Sequence, residues 1–179
     1  MNEKFNKKEV FLPLLLTVLA FAFDQVTKVI VYAKAVPYQI HRSFFNGLFN
    51  IRLVFNKGAA FSLGSNFSET IRIVVLGTLP LIALVVIFIF YVKTKELTYM
   101  QRWFIAGILG GGLGNIFDRL VRPEGVVDFL DVKFFGIFGL ERWPTFNVAD
   151  SIVVVCGICL ILTLLFGNKN SKQDTQAKD

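Results

Sequence analysis

Two aspartates stand in apolar surroundings with no basic residue beside them in the sequence. Asp128 lies in the segment VVDF, and Asp150 lies in VADSI. An unpaired carboxylate near hydrocarbon is costly, so such residues are candidates for function. Two carboxylates held close together share one proton, because like charges at short range cannot both ionise. The ionised member can activate a water molecule, and the protonated member can polarise or protonate an amide.

The two aspartates differ in their expected protonation. Asp150 falls in the first turn of a predicted helix, where the positive end of the helix dipole favours its anion. We therefore expect Asp150 to be ionised and Asp128 to be protonated in the resting pair. Because the two groups interact, the pair titrates as a unit.

Other polar residues interrupt the apolar segments near the same ends. Asp24 and Lys28 are one helical turn apart, so a neutralising ion pair is one interpretation and a functional role is another. Asp118 and Arg119 also allow both interpretations, a neutralising ion pair and a functional role. Asn115 is suited to hydrogen bonds between helices, in addition to any other role. We expect one shared pocket to hold the whole set, which also includes Asn56.

Asn147 is placed to cap the helix that carries Asp150. Its side chain can accept a hydrogen bond from the backbone amide of Ala149 or Asp150, because an asparagine before a helix commonly caps the free amides of the first turn.

The composition indicates a membrane protein. The chain has 179 residues, is 54% hydrophobic and contains 20 phenylalanines, with a mean hydropathy of +0.60. A soluble domain of this size would expose large apolar patches. The net charge of +6 comes from bases that stand between apolar segments, which favours anionic lipid over nucleic acid as a partner. One histidine and two cysteines are too few for a His/Cys metal site.

Four apolar stretches are long enough to cross a bilayer, for which a helix needs about 20 residues. The predicted helices cover about 10–36, 71–92, 102–120 and 147–167. The first stretch also resembles a cleaved signal peptide, but its apolar pattern continues past Asp24 and is too long for one. The density of Lys and Arg favours both termini on the cytoplasmic side. We expect one membrane domain over 1–168 and a polar cytoplasmic tail over 169–179.

The outer segments are then 37–70 and 121–146. In the first, Phe49, Ile51, Leu53 and Phe55 alternate with more polar residues, which predicts a strand with one apolar face. A turn at Lys57-Gly58 would allow residues 59–63 to pair back as a second strand. The second segment is rich in Phe and is expected to form an interfacial loop or helix. The predicted fold is therefore an all-α membrane protein with four transmembrane helices and a small extracytoplasmic β-sheet.

Two short motifs have structural explanations. Gly110 and Gly114 form a G-x-x-x-G pattern, which is typical of close helix packing. Cys156 and Cys159 match C-x-x-C, but they lie inside an apolar helix and are expected to be packing residues. His41 is expected to lie at the surface.

Five blocks of this sequence, in order, closely resemble the lipoprotein signal peptidase family, the bacterial signal peptidase II. The blocks are DQVTK at 24–28, NKGAAFS at 56–62, GGLGNIFDR at 111–119, VVDF at 126–129 and FNVAD at 146–150.

The resemblance implies a membrane aspartyl endopeptidase with Asp128 and Asp150 as its catalytic pair and no metal or organic cofactor. It would cleave diacylglyceryl-modified prolipoproteins just before the lipidated cysteine, in the bacterial cell membrane near the outer leaflet. Implied partners are these precursors, membrane lipid and globomycin-type inhibitors; nucleic acid is not expected, and we expect a monomer. The residues expected to bind substrate or support the pair are Asp24, Lys28, Asn56, Gly58, Phe61, Asn115, Asp118, Arg119 and Asn147.

Two other interpretations belong to different functional classes. A small transporter or channel could use the aspartates as a proton relay, although such proteins often show internal repeats and carry charges near the midplane. A non-catalytic assembly or lipid-binding factor would need the carboxylates only for packing. Cleavage of a lipidated precursor separates the first function from both alternatives.

Overall fold

The computed structural model describes residues 7–58, 68, 71 and 73–166. Its helices are α1 (Lys7–Phe11), α2 (Leu14–Lys34), α3 (Leu79–Lys93), α4 (Tyr99–Val121) and α5 (Val148–Phe166), and a π-helical segment, Ile73–Thr78, leads into α3. Its strands are β1 (Ile40–Phe44), β2 (Phe49–Asn56), β3 (Val126–Ile137) and β4 (Leu140–Arg142). Phe61, the predicted strand at 59–63 and the tail at 169–179 lie outside the described residues.

Among the residues that the structure describes, four helical stretches are long and apolar enough to cross a membrane: Lys7–Lys34, Val74–Lys93, Tyr99–Val121 and Val148–Phe166. The predicted four spans are thus confirmed. The first span contains α1 and α2, which are separated at Pro13, a residue without a backbone N–H to continue the helical hydrogen bonds. Large apolar side chains stay exposed along α2, α3 and α5, as expected of helices that face lipid tails.

Helix α4 lies at the centre of the bundle, where it packs against α2, α3 and α5. Its glycines allow this close approach. A Cβ on Gly110 would lie 2.6 Å from the carbonyl oxygen of Thr17 on α2, and a Cβ on Gly111 would lie 2.6 Å from that of Ala149 on α5. The predicted role of Gly110 in helix packing is confirmed, and Gly110 and Gly111 together allow α2 and α5 to approach α4 closely.

The strands form one antiparallel sheet in the order β1-β2-β3-β4. The prediction of an interfacial loop or helix for 121–146 was wrong, because β3 and β4 lie there. The physical reason is that β2 needs hydrogen-bond partners along both edges, and β1 and β3 provide them. Since the residues of β3 pair with residues at least 70 positions earlier, the local sequence pattern does not reveal this strand.

A second apolar core holds the sheet against the bundle. It consists of Ala35, Leu53, Val127 and Phe129, so the predicted apolar face of β2 is confirmed at Leu53. Alternate residues of a strand point to opposite faces. Val127 and Phe129 therefore enter this core, and Asp128 between them is directed to the other face of β3.

Candidate active site

Asp128 and Asp150 come from two elements that the backbone ties together. Asp128 is the third residue of β3, and Asp150 is the third residue of α5. Just before α5, the backbone of Phe146 exchanges hydrogen bonds of 2.7 and 3.0 Å with Leu130 of β3. This bridge fixes where α5 starts relative to β3, and it brings both aspartates to the sheet end of the helix bundle.

Asn147 connects the two aspartates directly. Its side-chain oxygen accepts from the amide of Asp150 at 2.9 Å, and the Asp150 carboxylate accepts from the amide of Asn147 at 3.1 Å. This reciprocal pair is a capping box, so the predicted helix cap is confirmed. The Asn147 side-chain nitrogen also donates to Asp128 at 2.7 Å.

Each carboxylate oxygen of the pair accepts one hydrogen bond from an amide. Besides their contacts with Asn147, Asp128 accepts from Asn56 at 2.9 Å, and Asp150 accepts from Asn115 at 2.7 Å. These donors fix both carboxyl groups and leave a lone pair on each oxygen. Three asparagines that the sequence predicted to share a pocket with the aspartates therefore contact them directly: Asn56, Asn115 and Asn147.

Burial, and after it the nearby charge of Asp150, raise the pKa of Asp128 from its ordinary value to about 7. Hydrogen bonds from Asn56 and Asn147 and the charge of Lys28 act in the opposite direction but are outweighed. A carboxyl group with this pKa holds its proton for much of the time near neutral pH. Asp128 is therefore suited to act as an acid.

Behind the pair, Lys28 is fully buried and makes three contacts. Its Nζ lies 2.8 Å from Asp24, 3.0 Å from Asp118 and 2.9 Å from the side-chain oxygen of Asn115. An ammonium group can only donate. Lys28 therefore fixes the Asn115 amide with its oxygen toward the lysine and its nitrogen toward Asp150.

Asp24 and Asp118 each hold the backbone immediately before one member of the pair. Asp24 accepts from the amide of Ala149 at 2.9 Å, and Asp118 accepts from the amide of Val127 at 3.1 Å. Lys28 bridges these two carboxylates. The buried ion cluster thus sets the separation between the β3 and α5 backbones at the aspartate pair.

The suggested Asp118–Arg119 ion pair is wrong. Asp118 pairs with Lys28 and with Arg122, whereas Arg119 donates at 3.4 Å to the backbone oxygens of Asn115 and Gly58. Successive helical residues point in different directions, but residues four apart share a face. That spacing was the available signal for Arg122, which the sequence analysis missed.

Two further residues orient the site. The amide of Gly58 donates to the side-chain oxygen of Asn56 at 2.9 Å, so the Asn56 nitrogen is directed toward Asp128. Gln25, which the sequence analysis also missed, donates to Asp24, Asp118 and the backbone oxygen of Gly114, each at 3.1 Å. Its position next to Asp24 was the only feature of the local sequence that could have indicated a role for Gln25 in the site.

The aspartate pair faces a groove with a volume of about 670 Å³. One end lies between α3 and α5 and is apolar, with Ala83, Leu84 and Val153 among its lining residues. The other end is formed by the sheet and the segment before α5, and Arg52 lies there. Arg119 lines the same groove as the pair. Within the described part of the chain, no group of three or more His, Cys, Asp or Glu residues is arranged to hold a metal ion.

Gly125 controls the approach of β3 to Asn56. Its φ is +104°, and a Cβ there would lie 2.5 Å from the backbone oxygen of Asn56. We expect Gly125→Ala to displace Asn56 from Asp128 and to lower kcat/KM by about tenfold, roughly the loss of one hydrogen bond. Gly139→Ala is the matched control, because Gly139 also has a positive φ (+77°) but has no neighbour within 4 Å of the added Cβ. The activity of both variants is measured with a precursor of the kind that the resemblance implies. Equal losses in the two variants would contradict this role for Gly125.

Comparisons with known proteins identify the family of the chain. The family model described as signal peptidase (SPase) II matches residues 16–166. A lipoprotein signal peptidase of Treponema denticola is 51% identical over 168 residues, covering 94% of this chain and 96% of its own. That of Borrelia duttonii is 49% identical over 156 residues, covering 87% and 90%.

Two solved structures of bacterial membrane enzymes have a fold similar to that of this chain. A bacterial membrane enzyme determined by the in meso method at 2.3 Å has a TM-score of 0.74 and 28% identity, with 95% of both chains covered. A second, at 1.9 Å, has a TM-score of 0.71 and 27% identity, with 94% of this chain and 99% of that chain covered. With the family match over most of the sequence, this multi-pass membrane protein belongs to the signal peptidase II family of aspartic-type endopeptidases.

Proposed function

We propose that this enzyme removes signal peptides from diacylglyceryl-modified prolipoproteins by cleaving just before the lipidated cysteine, with Asp128 and Asp150 as its catalytic pair. The observation that carries the proposal is the shared support of the two carboxylates. Asn147 contacts both, and each carboxylate oxygen has one amide donor. A packing role alone would not require a buried and a half-buried carboxyl group to face the same open groove.

The proposed chemistry uses the two carboxyl groups in different protonation states. Asp150, in the first turn of α5, is the anion and takes a proton from a water molecule as the water attacks the scissile carbonyl carbon. Asp128 donates its proton to the carbonyl oxygen. When the tetrahedral intermediate collapses, the C–N bond breaks, the proton held by Asp150 passes to the leaving nitrogen, and Asp128 regains its own. The pair ends in its starting state.

Other parts of the site support substrate binding. The apolar end of the groove between α3 and α5 suits an apolar signal peptide that remains in the bilayer. Arg119, close to Gly58, is placed to bind substrate carbonyl oxygens. Globomycin-type inhibitors are expected to occupy the same groove.

The proposal includes a membrane location. The enzyme would be a monomer in the bacterial cell membrane, with a single peptidase domain over 1–168 and a cytoplasmic tail over 169–179. Both termini would be cytoplasmic, and the active site would lie near the outer leaflet. A diacylated substrate cannot leave the bilayer, so its scissile bond must be cleaved near the membrane surface. The aspartate pair lies where the membrane-spanning helices meet the sheet, which suits this requirement.

The purified enzyme in detergent or lipid tests the substrate class. We expect release of the signal peptide from a diacylglyceryl-modified prolipoprotein, and little release from the same precursor with an unmodified cysteine, because the lipid holds the scissile bond at the membrane surface. Mass spectrometry of the products gives the cleavage position. Equal cleavage of both precursors, or cleavage at another bond, would contradict the proposal.

The pKa of Asp128 predicts the alkaline side of the pH profile. Above about 7 the acid of the free enzyme loses its proton, so kcat/KM should fall, approaching tenfold per pH unit. The hydrogen bond from Asn56 lowers this pKa, so Asn56→Ala should move the alkaline limb to higher pH. Values of kcat/KM measured between pH 5 and pH 9, at substrate concentrations well below KM, give the alkaline limb of each enzyme. A limb that stays in place, or moves to lower pH, would exclude Asp128 as the group that titrates.

A further inference from the structure

An arginine lies in the groove at the sheet end. Arg52 lines the same cavity as Asp128 and Asp150. It is on β2, four residues before Asn56, and the register of β2 against β3 shifts between Ile51 and Val54. Such a bulge locally redirects the side chains of a strand. The irregular part of β2 is thus the part that brings a cation to the groove.

Arg52 also has a buried nitrogen that the chain does not satisfy. Its Nε is excluded from solvent and has no hydrogen-bond partner among the described residues. Arg122 and Arg142, by contrast, are paired with Asp118 and Asp131. A buried N–H without an acceptor is costly, and the arginine fork matches the two oxygens of a carboxylate. The geometry therefore indicates an acceptor that comes from another molecule.

The distance along β2 indicates which part of a substrate meets Arg52. The apolar end of the groove suits the signal peptide, so the segment after the scissile bond must leave toward the sheet end. Arg52 is four strand positions from Asn56, a partner of Asp128, and an extended chain advances about 3.3 Å per residue. A substrate chain that leaves the aspartate pair in extended form would reach Arg52 at about its fourth residue.

Given the proposed peptidase function, we propose that Arg52 binds an acidic side chain of the prolipoprotein, about four residues after the scissile bond. Arg52 is then a specificity-determining residue for the mature part of the substrate. It favours precursors that carry Asp or Glu there. Because it lies away from the reacting bond, it acts on substrate binding and leaves the chemical step unchanged.

Lipidated synthetic precursors that differ at one position test this proposal. Glu and Gln are compared at each of the second to seventh positions after the scissile bond, with the wild type, Arg52→Gln and Arg42→Gln. Arg42 is the matched control, because it is an exposed arginine on the neighbouring strand β1 and does not line the groove.

We expect the wild type to cleave the Glu precursor with a kcat/KM about five- to tenfold above that of the Gln precursor, at one position near the fourth. The preference should appear in KM, should vanish in Arg52→Gln and should persist in Arg42→Gln. An Arg52→Glu variant should instead prefer a Lys precursor at that position, which tests the charge contact even if absolute activity falls.

Three results would overturn the proposal. They are a wild type without position-dependent preference, an Arg52→Gln variant that slows Glu and Gln precursors equally, and an Arg52 effect that follows the anionic lipid content of the assay instead of the peptide. The last result would identify a lipid headgroup as the anion. Failure of the proposed peptidase function is distinguishable, because the wild type would then cleave none of the precursors.

Discussion

Asp128→Asn and Asp150→Asn are each expected to lower kcat/KM by about 10³- to 10⁴-fold. Asparagine keeps the shape and most hydrogen bonds of aspartate but cannot take or give a proton at neutral pH. General acid–base catalysis commonly contributes 10²- to 10⁴-fold to a rate, and members of one catalytic unit are strongly interdependent. The double variant should therefore be about as inactive as either single variant. Cleavage of a diacylglyceryl-modified prolipoprotein is the measurement.

A matched control separates chemistry from folding. Asp131 lies on the same strand as Asp128 and is equally buried, but it pairs with Arg142 and Asn50 and does not line the groove. Asp131→Asn should lose some stability and keep its activity within about threefold, as expected of a change outside a functional site. If Asp131→Asn is as inactive as Asp128→Asn, or if both catalytic-pair variants cleave at the wild-type rate, the pair does not perform the chemistry.

Thermal unfolding measures a second effect of Asp128→Asn, which is the direction in which the substitution changes the stability of the fold. The pKa of Asp128 is raised in the folded state, so the fold binds its proton more tightly than the unfolded chain does. Above about pH 7 the ionised group therefore destabilises the fold. Asp128→Asn should be at least as stable as the wild type at pH 8, which is the pattern of a residue that trades stability for function.

Lys28→Met is expected to remove activity and to destabilise the protein by about 3–5 kcal/mol, the usual cost of breaking a buried ion pair at one partner. Methionine has a similar length but leaves Asp24 without its ammonium partner, and it removes one of the two cationic partners of Asp118. The thermal unfolding midpoint should fall by roughly 10 °C. Lys34→Met is the control, because Lys34 lies on the same helix and is exposed.

A double variant distinguishes positioning from stability. Asp24→Asn combined with Lys28→Met removes one charge of each sign, and Asp118 keeps Arg122. Stability should recover in part, because no lone charge remains at Asp24. Activity should not recover, since Lys28 no longer orients Asn115 toward Asp150. Recovery of activity together with stability would show that Lys28 serves the fold alone.

The local parts of the site followed from the sequence. Helix length and hydropathy depend on neighbouring residues, so the four spans were predicted. The Asn147 cap is set by four consecutive positions, and the close contact at Gly110 is set by the spacing of glycines on one helix. The candidate aspartates were also evident from sequence, because an ionisable residue in an apolar segment is visible without any knowledge of the fold.

The tertiary structure decided which polar groups meet. Lys28 touches Asp118 across 90 positions, and Asn56 reaches Asp128 across 72 positions. Adjacency in sequence suggested Arg119 as the partner of Asp118, but helical geometry directs Arg119 to the groove. β3 was missed for the same reason, because its partner β2 is remote in the chain. Sequence by itself thus determined the membrane spans and the two aspartates, since these depend on local chemistry. Only the folded chain determined the ion cluster, the groove and the position of Arg52, since these depend on contacts between distant residues.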